Sequence, residues 1–237
     1  MDTHQRPLFL ITTFLLLLLH HPTSTHSLID PTTYSTPAAA PTTISAATPP
    51  ATTTTTYPTN KDTEFIRSSC ASTRYPDECY NSLSGYASAV QQNPARLARV
   101  AIAVSLSRAR LEATYFSNIS KEADYGADHR VSAAIHDCFS TFGDAVDQLR
   151  GSLNQMRHLV PAGSSETFRF QMSNVQTWMS AALTNEDTCT DGFDGVSDGP
   201  TKKDVFDRVH RAEAVTSNAL ALVNSYANTV AADSNFP

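Results

Sequence analysis

The most definite chemistry in the 237-residue sequence lies in four cysteines, Cys70, Cys79, Cys138 and Cys189. An even number of thiols, with no CxxC pair and no Cys/His cluster at zinc spacing, points to disulfides with three possible pairings. The carboxylates and histidines add no second chemistry. A helical metal site would use repeated Glu-x-x-His pairs on inward faces. The nearest match is Asp207 with His210, which occurs once, and His210 follows Val209 off the apolar stripe. His136 and Asp137 are sequence neighbours and point about 100° apart on a helix. No glycine-rich stretch forms a phosphate cradle, and no serine sits in a nucleophile elbow. The expectation is a protein with no catalytic residue, metal or cofactor, which works by binding.

Two features carry surface chemistry. Asn118-Ile119-Ser120 is an N-glycosylation sequon. Thr177, Thr184, Thr188 and Asp191 step by seven, four and three, so on a helix they share one polar face, while Trp178 lies at the edge of the core stripe. The net charge is −6, and acid gathers between Glu186 and Asp207. A net acidic chain is a poor nucleic-acid binder and suits a basic partner surface.

The elements that must position these residues are helices. Asp62–Gln92 reads as short helical pieces broken at Pro76, which cannot sit inside a regular helix. Asn93-Pro94 is an N-cap followed by proline at the first helical position, and it opens a helix that runs to about Asp124. Its expected inward stripe is Leu97, Ala101, Val104, Leu111 and Tyr115, with Arg108 as a misfit, and Gly126 ends the segment. A second helix spans about Asp128 to His158, with Val131, Ile135, Cys138, Phe142, Ala145, Leu149 and Met156 inward. A third runs from about Glu166 to Thr190 on Phe168, Met172, Val175, Met179, Ala182 and Cys189, with Glu186 the polar misfit. A fourth runs from Thr201 to about Thr229 on Val205, Val209, Ala212, Val215, Ala219, Leu222 and Tyr226. Thr201 and Asp204 have capping-box spacing. Four amphipathic helices with short connections make an all-α, up-down four-helix bundle, here preceded by a short N-terminal helical hairpin.

This topology selects the cysteine pairs. Helices two and three should be antiparallel neighbours across Pro161–Ser165, and Cys138 and Cys189 lie equidistant from that turn on the inward stripes. Their Cα atoms must come within about 4.4–6.8 Å, closer than the usual 8–10 Å between helix axes. Cys70 and Cys79 flank Tyr75-Pro76-Asp77, which can turn, and pair locally.

The chain begins differently. Arg6 and the free amine precede the apolar run Leu8–Leu19, and small residues follow at Thr25 and Ser27. Such a run rises about 18 Å as a helix, short of a bilayer core of ~30 Å, so residues 1–27 read as a secretory signal. Residues 28–61 are rich in Thr, Pro and Ala and read as a disordered, stalk-like linker open to O-glycosylation. Residues 62–232 form the folded domain, with no membrane segment once the signal is removed.

The block WMSAALTNEDTCTDGF, from Trp178 to Phe193, strongly resembles the plant invertase/pectin methylesterase inhibitor family. So do Cys70 and Cys79 at their nine-residue step, Asp137-Cys138 with Ala145, Val146 and Leu149, and Leu220 preceded by Thr216-Ser217-Asn218-Ala219. The similarity covers roughly Asp62 to Val230. It implies the hairpin, the bundle and both disulfides. It further implies an inhibitor of pectin methylesterases or of acid invertases in cell wall or vacuole. Because the same domain occurs as the pro-region of pectin methylesterases, and no catalytic domain follows here, a stand-alone secreted inhibitor of the cell wall is expected. Family inhibitors of the esterase bind one-to-one beside the pectin cleft through the third helix, which by motif position implicates Thr177, Thr184, Thr188 and Asp191. The Thr-Asn-Glu-Asp-Thr block favours pectin methylesterase, with acid invertase as the alternative partner. A glycosylated structural cell-surface protein is a further alternative.

Overall fold

Every regular element among the described residues is a helix, because apolar side chains recur at three- and four-residue steps. The computed structural model describes residues 60–123, 128–159 and 165–234. The expected signal, nearly all of the Thr/Pro/Ala-rich segment, Gly126 and the turn from Pro161 to Ser164 lie outside the described residues. No helix among those described is long and apolar enough to cross a membrane.

α1 (Asn60–Cys70) and α2 (Pro76–Leu83) form the N-terminal hairpin. Pro76 opens α2, where its missing N–H costs nothing. The Cys70–Cys79 bridge ties the two helices with a Cα separation of 5.6 Å. A 3₁₀ turn (Ser84–Tyr86) and the short α3 (Ala87–Val90) follow. Gln91 and Gln92 then take left-handed φ of 50° and 56°, which reverses the chain at a cost of roughly 1–2 kcal/mol per residue. The Gln92 amide offsets part of this by donating to Asp62 Oδ1 at 3.0 Å, which fastens the turn to α1.

Four long helices make the bundle: α4 (Pro94–Ala123), α5 (His129–Arg157), α6 (Ser165–Asp191) and α7 (Pro200–Ser234). Asn93 caps α4 by accepting from Arg96 N at 2.9 Å, and Asp128 caps α5 by accepting from Arg130 N at 3.0 Å. Each helix packs on the next in sequence, and α7 closes the ring on α4. The core is filled by Phe116, Phe142, Leu149, Val175, Met179 and Phe193, all with no exposed surface. Burying such a side chain contributes about 1.5–3 kcal/mol.

Two expectations are corrected. Leu97 and Ala101 of the expected α4 stripe are buried, but beyond them the inward face departs from it. It continues through Ile102, Ser105, Ala109, Glu112 and Phe116, while Leu111 is 55% exposed and Val104 and Tyr115 are only half-buried. The cause is Glu112, a fully buried carboxylate that no apolar count would place inward. Arg208 Nη1 holds one of its oxygens at 3.2 Å, and Arg108 Nη1 lies 3.6 Å from the other, so the charge is matched rather than stranded. The second correction concerns Thr201 and Asp204. α7 starts at Pro200, so Thr201 is already inside the helix. Asp204 does not cap; it accepts from Tyr115 O–H at 2.5 Å and from Arg208 Nε at 3.0 Å. These two bonds hold its carboxyl below the usual range, and the desolvated Tyr115 phenol, bonded to the same carboxylate, is pushed up to about 12. Arg208 also stacks over the Tyr115 ring at 3.7 Å, completing a tie between α4 and α7.

Candidate partner-docking face

α6 carries its polar stripe opposite its core stripe. Phe168, Met172, Val175, Met179, Ala182, Glu186 and Cys189 are buried, while Thr177, Thr184, Thr188 and Asp191 are exposed. The four exposed residues fall within about 60° of one another and span about 21 Å of helix. Thr184 Oγ1 donates to Ser180 O at 3.1 Å, and Thr188 Oγ1 donates to Thr184 O at 2.8 Å. Back-bonding fixes each hydroxyl proton on the helix and leaves the oxygen free to accept from outside. A β-branched side chain already held in one rotamer loses little freedom when a partner covers it.

The helix beneath the stripe is clamped to α5. Cys138 and Cys189 bridge the helices with Cα atoms 4.3 Å apart, just before Asp191. At Gly192 the chain passes so close to α5 that a Cβ would meet the Ala134 backbone at 3.2 Å. Farther along, Asn185 Nδ2 donates to Gln148 Oε1 at 3.1 Å, and Ser152 Oγ donates to Val175 O at 3.2 Å. Trp178 lies against Gly151, where a Cβ would stand 3.3 Å from its ring, and keeps 37% of its surface exposed.

Other features of this end of the bundle were not read as site residues from the sequence. Glu186, the polar misfit on the apolar stripe, is completely buried, and Thr216 Oγ1 donates to its Oε1 at 2.9 Å. Burial pushes the Glu186 carboxyl up to about 8; the Thr216 bond opposes the rise and the charge of Glu213 adds to it. Beside Thr184, a recess of 330 Å³ is lined by Arg74, Tyr75, Asp187 and Glu213. Glu213 is pushed up to about 7 by burial and by the charge and hydrogen bond of Asp187, with Arg74 opposing. Glu213 therefore favours its protonated form beside Asp187, a signal that required knowing that α6 and α7 are neighbours.

The remaining sequence-singled residues lie elsewhere. Asn118 is exposed near the end of α4, while Ser120, the third residue of its sequon, is buried and donates to Ser117 O at 3.1 Å. The side chain of His210 is 67% exposed and stands 4.0 Å from Glu213, and Asp207 pairs with Lys203 at 2.6 Å.

Known proteins resemble this chain in sequence and in fold. A sequence model of a family described as plant invertase/pectin methylesterase inhibitor matches residues 64–222. The chain is 46% identical over 165 residues to a 21 kDa protein of Daucus carota, covering 69% of this chain and 84% of that one. It is 41% identical over 171 residues to Pectinesterase inhibitor 3 of Arabidopsis thaliana, covering 72% and 82%. Its fold is similar to the crystal structure of a mutant form of a pectin methylesterase inhibitor from Arabidopsis, with a TM-score of 0.51 and 21% identity over 65% of this chain and 92% of that one. The clamped helical bundle with its four cysteines belongs to the plant invertase/pectin methylesterase inhibitor family.

Proposed function

We propose that this protein is a secreted inhibitor that binds a pectin methylesterase one-to-one and covers its substrate cleft with the outer face of α6. The observation that carries this reading is the row Thr177, Thr184, Thr188 and Asp191, exposed on a helix whose other face is locked to α5 by a disulfide. Rigid, short, pre-bonded side chains on an immobile helix make a surface that binds without first being ordered, and their donors and acceptors set register. The choice of esterase over invertase rests on relatives named pectinesterase inhibitors. A chain of net charge −6 suits a basic enzyme surface. Residues 1–27 act as the export signal, residues 28–61 as a glycan-bearing stalk, residues 62–232 as the inhibitory bundle, and Asn118 as an N-glycan site. The sequon lies within α4, so a glycan there is added before the helix forms.

Titration of the purified protein against a pectin methylesterase and an acid invertase tests the reading. Esterase activity should fall linearly to an end point at one equivalent, with invertase unaffected. Saturation of invertase alone would transfer the function to the other enzyme.

A further inference from the structure

A second surface lies on the other side of α5. Between α4 and α5 runs a groove of 620 Å³ lined by Leu106, Arg110, Asp147, Arg150, Gly151, Leu153, Asn154 and Arg157. Three guanidinium groups face it against one carboxylate, and that carboxylate is paired with Arg150. Among the described residues, Arg110 and Arg157 meet no carboxylate within ion-pair distance. Its apolar lining is Leu106 and Leu153, 5% and 6% exposed, and Gly151, whose missing side chain makes room for the Trp178 ring. Arg110 also borders a second, more apolar groove of 630 Å³ between α4, the hairpin and α7, with Tyr86 and Leu111 exposed along it. Arg99 lies on the same face of α4 as Arg110, about 16 Å along the axis. On a chain of net charge −6, this row of uncompensated arginines is a local reversal of sign.

We infer that this groove binds a polyuronate, the carboxylate-bearing chain left when methyl esters are removed from pectin. The inference rests on the functional reading above, because that reading places the protein where such a polymer is produced. Arginine forks match carboxylates in a bidentate manner, whereas a fully esterified chain offers no charge. Asn154, exposed beside the arginines, supplies amide groups for the sugar hydroxyls. The occupant is extended and anionic, because the arginines are spread along two helices instead of converging on a point. No α6 residue lines the groove, so polymer and enzyme occupy different faces, and the inhibitor can sit on the polymer on which its target acts.

The test is binding of the full secreted chain to immobilised polygalacturonate at 50 mM salt. Retention is expected, weakening roughly tenfold by 200 mM salt as counterions compete. Arg110→Gln with Arg157→Gln should weaken binding at least tenfold, while Arg211→Gln on α7 should not. Thermal midpoints of all variants should match the parent, since the replaced side chains are exposed. Esterase inhibition by the double variant should be unchanged on a highly esterified substrate. Absence of polygalacturonate binding, equal binding by the double variant, equal binding of fully esterified pectin, or binding of dextran sulfate in place of polygalacturonate would each overturn the inference. Loss of inhibition by the parent protein with polygalacturonate binding intact would instead remove the functional reading and leave the groove standing.

Discussion

The amide of Asn218 holds the backbone of Tyr75 with both of its polar atoms: Tyr75 N–H donates to Oδ1 at 3.0 Å, and Nδ2 donates to Tyr75 O at 2.8 Å. Tyr75 lies between the two bridged cysteines of the hairpin, and Asn218 is buried at 2% exposure on α7. One side chain thus fastens the hairpin to the bundle.

Asn218→Leu removes both bonds and leaves the Tyr75 N–H unpaired, while the Tyr75 carbonyl keeps the Cys79 N–H at 2.9 Å, so a loss of about 1–3 kcal/mol is expected. Hydrogen exchange should accelerate across α1 and α2 while the centres of α5 and α6 keep their protection. Asn218→Asp, which keeps the acceptor but sets a buried carboxylate oxygen against the Tyr75 carbonyl, should cost at least as much. Equal exchange in the hairpin of Asn218→Leu and parent would show that the clasp does not secure it.

Glu186 makes stability depend on pH in an unusual direction. Its folded value of about 8 lies above its ordinary 4.5, so the folded state holds a proton that the unfolded state releases. The stabilisation is fully present below about pH 4.5 and is lost as pH rises through about 8, an effect on the order of 3 kcal/mol by pH 7. Glu213, raised to about 7, acts in the same direction. The thermal midpoint should therefore fall from pH 5 to pH 8. Glu186→Gln keeps an acceptor for Thr216 and should flatten most of that slope; a slope unchanged by the substitution would contradict the assignment.

The Cys138–Cys189 bridge spans 51 residues, for which chain entropy alone predicts about 4 kcal/mol. Replacing both cysteines with alanine should lower the denaturant midpoint accordingly. The affinity for the enzyme should weaken as well, because the end of α6 that bears Thr188 and Asp191 loses its clamp to α5. Thermal loss without any loss of affinity would mean that the other contacts between the helices suffice to hold the face.

Much of this was legible because periodicity reports burial. The core stripes of α5, α6 and α7 follow from apolar steps, and the antiparallel hairpin of α5 and α6 puts Cys138 level with Cys189. Beyond Leu97 and Ala101, α4 was misread for a physical reason. Its inward face includes Glu112, and burying a carboxylate is acceptable only because Arg208 arrives from a helix nearly a hundred residues later. The same holds for Asp204, whose spacing suits a cap but whose partners, Tyr115 and Arg208, come from packing. Glu186 was visible as an irregularity, yet its bond to Thr216 depends on the placement of α7. The stripe Thr177, Thr184, Thr188 and Asp191 needed only helical geometry. The groove of Arg110, Arg150 and Arg157 needed the relative register of two helices, which no local pattern encodes.

The central claim is that the outer face of α6 is what the esterase meets. Its most direct measurement is the inhibition constant of Thr184→Arg with Asp191→Arg against a pectin methylesterase, taken beside the thermal midpoint of the same variant. Both residues are exposed, so the midpoint should stay within about 2 °C of the parent. Two long cations on a face that suits a basic partner should raise the inhibition constant by a factor on the order of 100. Unchanged inhibition by a folded variant would contradict the account and move the docking surface off α6.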